Sequence, residues 1–195
     1  MKIVRSIGVL ACGAALLAGA VACTDDSQSP QPRPTAAAGI ETDSSALVNL
    51  GIEQGESGDL EKAKESFEQA VASDSGNKFA WFNIGYIAHS QDQIDDAIAS
   101  YDKALAIDPE FKPAIYNKAI AIEASDAGSA IDLYKEILAL DNRASTAYVR
   151  LGILLASEGD TAGARSAFGA AVEINPELVP AIPEEYREHY LSDDD

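Results

Sequence analysis

Trp81-Phe82-Asn83-Ile84-Gly85, followed by Ala97, Tyr101, Ala104 and Asp108-Pro109, decides the fold because the chain writes this line more than once. One period earlier, Leu47-Val48-Asn49-Leu50-Gly51 leads to Ala63, Phe67 and Ala70. Further on, Tyr148-Val149-Arg150-Leu151-Gly152 leads to Ala164, Phe168, Ala171 and Asn175-Pro176. Gly51 to Gly85, Ala63 to Ala97 and Phe67 to Tyr101 are each 34 residues apart. A fixed period of this size marks supersecondary units that bury their apolar faces only by stacking.

The frame that fits begins at Ser44 and divides the chain into repeats at 44–77, 78–111, 112–144 and 145–178, each a pair of antiparallel helices. In repeat one, Leu47, Leu50, Gly51 and Gln54 fall at i, i+3, i+4 and i+7, the packing stripe of a first helix. Gly58-Asp59 ends it, the glycine taking a left-handed exit and the aspartate capping the next helix. Small residues at Gly51, Gly85, Ala119 and Gly152, and at Ala63, Ala97, Ala130 and Ala164, let the paired helices approach closely. The rings of Phe67, Tyr101, Tyr134 and Phe168 then fill the gap toward the next pair. Proline after Asp108 and Asn175 stops the second helices.

Repeat three departs most. Ala97 to Ala130 is 33 residues, so one residue is missing, most simply in the turn at Ser125-Asp126. Lys118 stands where the other repeats have Leu50, Ile84 and Leu151, and its ammonium must reach solvent or an acidic partner. Ile137 replaces an alanine and Asn142 the proline, which predicts a local change of superhelical pitch. Beyond 178, Pro183 and two glutamates suit a helix start, and Ile182, Tyr186 and Tyr190 are spaced four apart. Residues 179–195 therefore read as a short capping helix with an acidic tail.

A helix–turn–helix unit of this length with aromatic, small-residue and proline landmarks resembles the tetratricopeptide repeat family, over 44–178. The resemblance implies an all-α, right-handed superhelical solenoid of about four repeats, whose first helices line a concave face. On that face it places Val48, Asn49 and Ile52, then Phe79, Phe82, Asn83, Tyr86 and His89, then Tyr116, Asn117 and Ile120, then Val149, Arg150 and Ile153. These residues form the expected partner groove, aromatic at its centre. The same rings could instead serve packing between helices. Asn49, Asn83 and Asn117 recur just before the packing residue, where an amide can pair with the backbone of an extended peptide. Val48, Ile52 and Phe79 occupy slots that the family's carboxylate-clamp members fill with polar and basic groups, so acidic C-terminal peptides are not the expected ligand.

The N-terminus carries a second message. Met1-Lys2-Ile3-Val4-Arg5 is basic, and Ile7 to Ala22 is an apolar run of 16 residues, shorter than the ~20 needed to span a bilayer. Residues 1–22 read as an export signal. Ala20-Val21-Ala22-Cys23 resembles a bacterial lipobox, with alanine where leucine is preferred, which implies lipidation of Cys23 and a membrane anchor. The same three residues also fit an ordinary A-x-A cleavage site, which would release a secreted protein with a free thiol. Residues 23–43, with Pro30, Pro32 and Pro34, then form a tether.

Once the signal is removed, 12 basic residues face 32 acidic ones, which excludes nucleic acid as a partner and favours a neutral or basic protein or peptide. Beyond Cys12 and Cys23 there is no cysteine, so the repeats hold no disulfide or thiolate metal site. The two histidines, His89 and His189, are 100 residues apart, and no nucleophile-elbow, phosphate-loop, zinc-protease or dinucleotide motif is present. No cofactor, metal or catalytic residue is expected. The sequence therefore predicts an exported binding scaffold, or an envelope component that self-associates through its edge helices.

Overall fold

The computed structural model describes residues 43–188 and 190. The export signal, Cys23, nearly all of the tether, His189 and the acidic end lie outside the described residues. Eight long helices follow in order: α1 Ser44–Glu56, α2 Leu60–Ser73, α3 Lys78–Ser90, α4 Ile94–Ile107, α5 Lys112–Ile122, α6 Ala127–Leu140, α7 Ser145–Ser157 and α8 Thr161–Ile174. Each odd-numbered helix packs against the even-numbered helix that follows, and each hairpin stacks on the next, giving an all-α right-handed solenoid. There is no strand among the described residues.

The turns within the hairpins show how sequence sets the geometry. Asp59, Asp126 and Asp160 accept the backbone N–H of Lys62, Ser129 and Gly163, capping α2, α6 and α8. The residue before the cap is left-handed in three repeats, at Gly58 (φ 87°), Asp92 (φ 61°) and Gly159 (φ 84°). Repeat three has no left-handed residue there, because it lacks one turn residue, and α5 is accordingly the shortest of the eight at 11 residues.

The core forms where the hairpin helices close on each other. A Cβ added at Gly51, Gly85 or Gly152 would come within 2.6 Å of Phe67, 2.7 Å of Tyr101 or 2.5 Å of Phe168. These rings therefore lie first over the glycine of their own hairpin, and only beyond it reach the next pair, as Phe67 does in clustering with Ala80 and Ile87. Tyr101 is fully buried, and its hydroxyl has no partner among the described residues. An unpaired buried hydroxyl costs about 1–3 kcal/mol. Tyr101→Phe, which restores the ring that repeats one and four carry, should raise the melting temperature.

Two expectations about the packing stripe change. Leu50 is 44% exposed. Its equivalents turn toward the second helix of the preceding repeat: Leu151 is buried with Ile131, and Lys118 places Nζ 2.6 Å from Asp102 Oδ1 on α4. Leu50 has no described predecessor to meet. Of the two outcomes expected for Lys118, solvent or an acidic partner, Asp102 supplies the second. At the other end, the cap is less than a full helix. A 3₁₀ turn at Pro176–Ala181 precedes one α-turn, α9 at Glu184–Arg187. Ile182 is nonetheless buried, and the Tyr186 ring lies 5.2 Å from that of Phe168. The solenoid is therefore closed at its C-terminal edge, while its first helix keeps an apolar side chain in solvent.

Candidate functional site

The inner face is built from α1, α3, α5 and α7, and its residues divide by depth. Asn49, Phe79 and Ile153 are exposed, while Tyr86, His89, Tyr116, Asn117, Ile120 and Arg150 are half-buried. Val48, Ile52 and Val149 are buried. Phe82, at 4% exposure, lies between Tyr101 (ring centroids 6.0 Å apart) and Phe111 (5.6 Å) and belongs to the core. The expectation that Phe82 and Asn83 present themselves to a partner is therefore corrected: both sit beneath the surface. The reason is local, since Phe111 closes over Phe82 from the start of the next hairpin.

The asparagine ladder is corrected for a similar reason. Asn83 is 1% exposed and donates Nδ2–H to the carbonyl of Phe79 at 2.9 Å. Asn117 makes the same bond to Pro113, also at 2.9 Å. In both cases the nearest acceptor is the carbonyl one helical turn back, so the amide donors serve their own helices. Asn49 alone of the three is exposed.

Arg150 has a definite partner that its position in the repeat does not announce. Its Nη1 donates to both carboxylate oxygens of Glu123, at 3.0 and 2.9 Å, and the Tyr134 hydroxyl donates to Glu123 Oε1 at 2.5 Å. Burial raises the Tyr134 hydroxyl pKa, and the Glu123 carboxylate raises it further. Burial is the largest single influence and opposes the charge on Arg150, but Glu123 together with Tyr134 and Tyr116 holds the guanidinium pKa above its ordinary value. This network ties α5, α6 and α7 together and neutralises the floor of repeats three and four. Arg150 is thus committed within the chain.

His89 lies over the edge of Tyr101, with ring centroids 6.4 Å apart. Burial lowers its pKa below the ordinary 6.5, and the positive charge of Arg150 lowers it further, against a smaller opposing effect of Asp92. The folded chain therefore binds this proton less readily than the unfolded chain. Stability contributed by neutral His89 is full above about pH 6.5 and declines as pH falls below it. Thermal melts between pH 7.5 and 5.5 should show that decline, and His89→Gln should flatten it. The lowered carboxylates of Asp59, Asp108, Asp126 and Asp141 act separately, losing their contribution only below their ordinary 3.8.

Charge is distributed unevenly between the two faces. The first helices carry Lys78, Lys112, Lys118 and Arg150 against Glu53 and Glu56, whereas the second helices carry nine acidic residues against five basic. The three lysines pair with Asp108, Asp141 and Asp102. Among the eight helices the acidic excess lies on the second ones, whereas most of the chain's acidic residues lie in the turns and toward the ends, and the inner face is close to neutral. No group of three or more potential metal ligands converges among the described residues. No helix among them is long and apolar enough to cross a membrane.

Helical hairpins stacked with their first helices along one apolar inner face define a class, the helical-repeat solenoids. Within that class the tetratricopeptide repeat family model matches residues 48–110 and 120–178, more than half of the chain, and the chain belongs to that family. Among solved structures, it is similar to YrrB, described as a TPR protein with an unusual peptide-binding site. The TM-score is 0.66 at 22% identity, covering 78% of this chain and 83% of that one. MamA superposes with a TM-score of 0.64 at 21% identity, over 70% of this chain and 81% of that one. PilW, described as a widely conserved type IV pilus biogenesis factor, gives 0.64 at 24% identity, over 71% and 64%. No curated protein sequence matches the chain.

Proposed function

We propose that the protein is a non-catalytic interaction scaffold, exported and held by a lipid on Cys23 at the outer side of a bacterial membrane, that receives a segment of another protein on its inner face. The observation that carries this reading is a near-neutral inner face with exposed or half-exposed Phe79, Tyr86, Tyr116, Ile120 and Ile153 in a chain of net charge −18. Accessible aromatic and aliphatic side chains supply binding surface, while the chain's overall acidic excess favours a neutral or basic partner. YrrB provides a precedent for a peptide site on this type of solenoid. The tether, at about 3.1 Å per residue, would let the repeats stand up to roughly 60 Å from the membrane.

The test is capture of cross-linked partners from cells carrying the full chain. A partner recovered by the wild type should be lost with Tyr116→Ser combined with Ile153→Asp, and kept with Glu68→Lys on the outer face. Equal recovery from the inner-face variant would contradict the groove. Cys23→Ala should release the protein from the membrane fraction or block its processing; mature protein that stays membrane-bound would contradict the anchor.

A second reading rests on Leu50, which leaves the N-terminal edge able to pair with another copy. Light scattering of the mature chain should then show a concentration-dependent dimer that Leu50→Glu abolishes. A monomer at high concentration would rule this reading out.

A further inference from the structure

Each repeat has an equivalent position near the end of its first helix, and in repeats two and three its side chain meets the core ring of the second helix. Its occupants are Gly55, His89, Glu123 and Ala156. In repeat two, His89 covers Tyr101. In repeat three, Glu123 accepts the Tyr134 hydroxyl. In repeat four, Ala156 is small, but the chain's own C-terminal segment supplies the cover: Ile182 and Tyr186 pack in one cluster with Ala156, Ala164 and Phe168. Repeat one has no side chain at Gly55, and its core ring, Phe67, is covered instead by Ala80 and Ile87 of repeat two. Beside Gly55 a recess of about 440 Å³ opens between α1, α2 and α3.

The walls of this cavity are mostly apolar. Leu60, Ala63 and Ile87 line it, and the ring of Tyr86 stands on the inner-face side. Glu56 also lines it, an exposed carboxylate in a helix without a basic residue. Nearby, Glu61 accepts the side-chain amide of Gln91, adding negative charge where α2 and α3 meet. An apolar recess beside an acidic group discriminates among side chains in two ways. It rewards a large apolar group that fills it, and it rewards a cation next to that group.

We propose that this recess is the anchor pocket of the inner face. It takes a leucine- or phenylalanine-sized side chain of the partner segment, and Glu56 pairs with a lysine or arginine adjacent to that side chain. The proposal rests on the scaffold reading above and gives its partner a chemical signature: an apolar residue followed or preceded by a basic one. Gly55 is the specificity-determining residue, because any side chain there narrows the space that its counterparts in repeats two and three fill.

The experiment uses an array of N-acetylated, C-amidated heptapeptides with alanine, leucine or phenylalanine at the centre and lysine or glutamate beside it, probed with the mature chain. Leucine or phenylalanine beside lysine should be retained at least tenfold better than alanine beside lysine. Gly55→Leu, which fills the recess, should remove that preference. Gly55→Ala should keep most of it and serve as the folding control, since alanine favours the helix. Glu56→Lys should shift the preference from lysine to glutamate. An equal response to alanine and leucine, a preference unchanged in Gly55→Leu, or no retention at all would overturn the pocket. Partner capture that is lost in the Tyr116→Ser, Ile153→Asp variant but kept in Gly55→Leu would overturn the pocket while leaving the scaffold reading intact.

Discussion

Phe82→Ala should lower the unfolding free energy by about 3–5 kcal/mol, the cost of emptying a core phenylalanine site. The ring is 4% exposed and touches three others: Tyr101 and Phe111 at 6.0 and 5.6 Å, and Tyr86 at 6.5 Å. Those neighbours come from α3, α4 and the loop before α5, so the cavity opens at the junction of repeats two and three. Repeat solenoids distribute stability among neighbouring units. The loss should therefore appear in urea unfolding and as faster amide exchange in α3 and α5, with α8 little affected. A loss below about 1 kcal/mol would mean that the ring is not part of the core. Any partner binding lost in this variant reports the fold rather than a contact.

Glu123→Ala should cost about 1–3 kcal/mol, because it leaves two polar groups without their acceptor. The Arg150 guanidinium loses both of its bonds to Glu123, and the Tyr134 hydroxyl loses its acceptor, in a site where the Arg150 and Glu123 side chains are 31% and 25% exposed. Removing both charges differs from removing one. The double variant Glu123→Leu, Arg150→Met should be closer to wild type than Glu123→Ala, and a double-mutant cycle measured by thermal melts should return a favourable coupling. Additive single effects would show that the network carries no energy beyond its parts.

Much of the scaffold was legible in the sequence, because its determinants are periodic. Gly51, Gly85 and Gly152 recur in phase with the rings they admit, and the capping aspartates recur in the same turns. Lys118 also announced itself, since a cation at an apolar position must reach solvent or an acidic neighbour, and Asp102 supplies the latter. The depth of the inner-face residues was not legible. Helical spacing places Phe82 on a face, but burial there depends on Phe111, which arrives from the next hairpin. Nor does spacing show that the Asn83 amide turns back to Phe79, because this choice depends on which acceptor is nearest. The Glu123–Arg150 bond joins repeats three and four and belongs to no single repeat's pattern. The exposure of Leu50 has the same origin: its position is apolar in most repeats, but burial requires a predecessor. Periodicity thus identifies what each hairpin does for itself, and contacts between hairpins decide which residues remain at the surface.

The central claim is that partners are received on the inner face. It is tested most directly by placing a photo-activated cross-linking amino acid at Tyr116 or Ile153, and in parallel at Glu68 or Lys135, in the full chain in living cells. The first pair belongs to the first helices and the second pair to the outer ones. Adducts with another protein from Tyr116 and Ile153, and none from Glu68 and Lys135, are the predicted result. Adducts formed from Glu68 and Lys135 alone, or equally from all four positions, would contradict it.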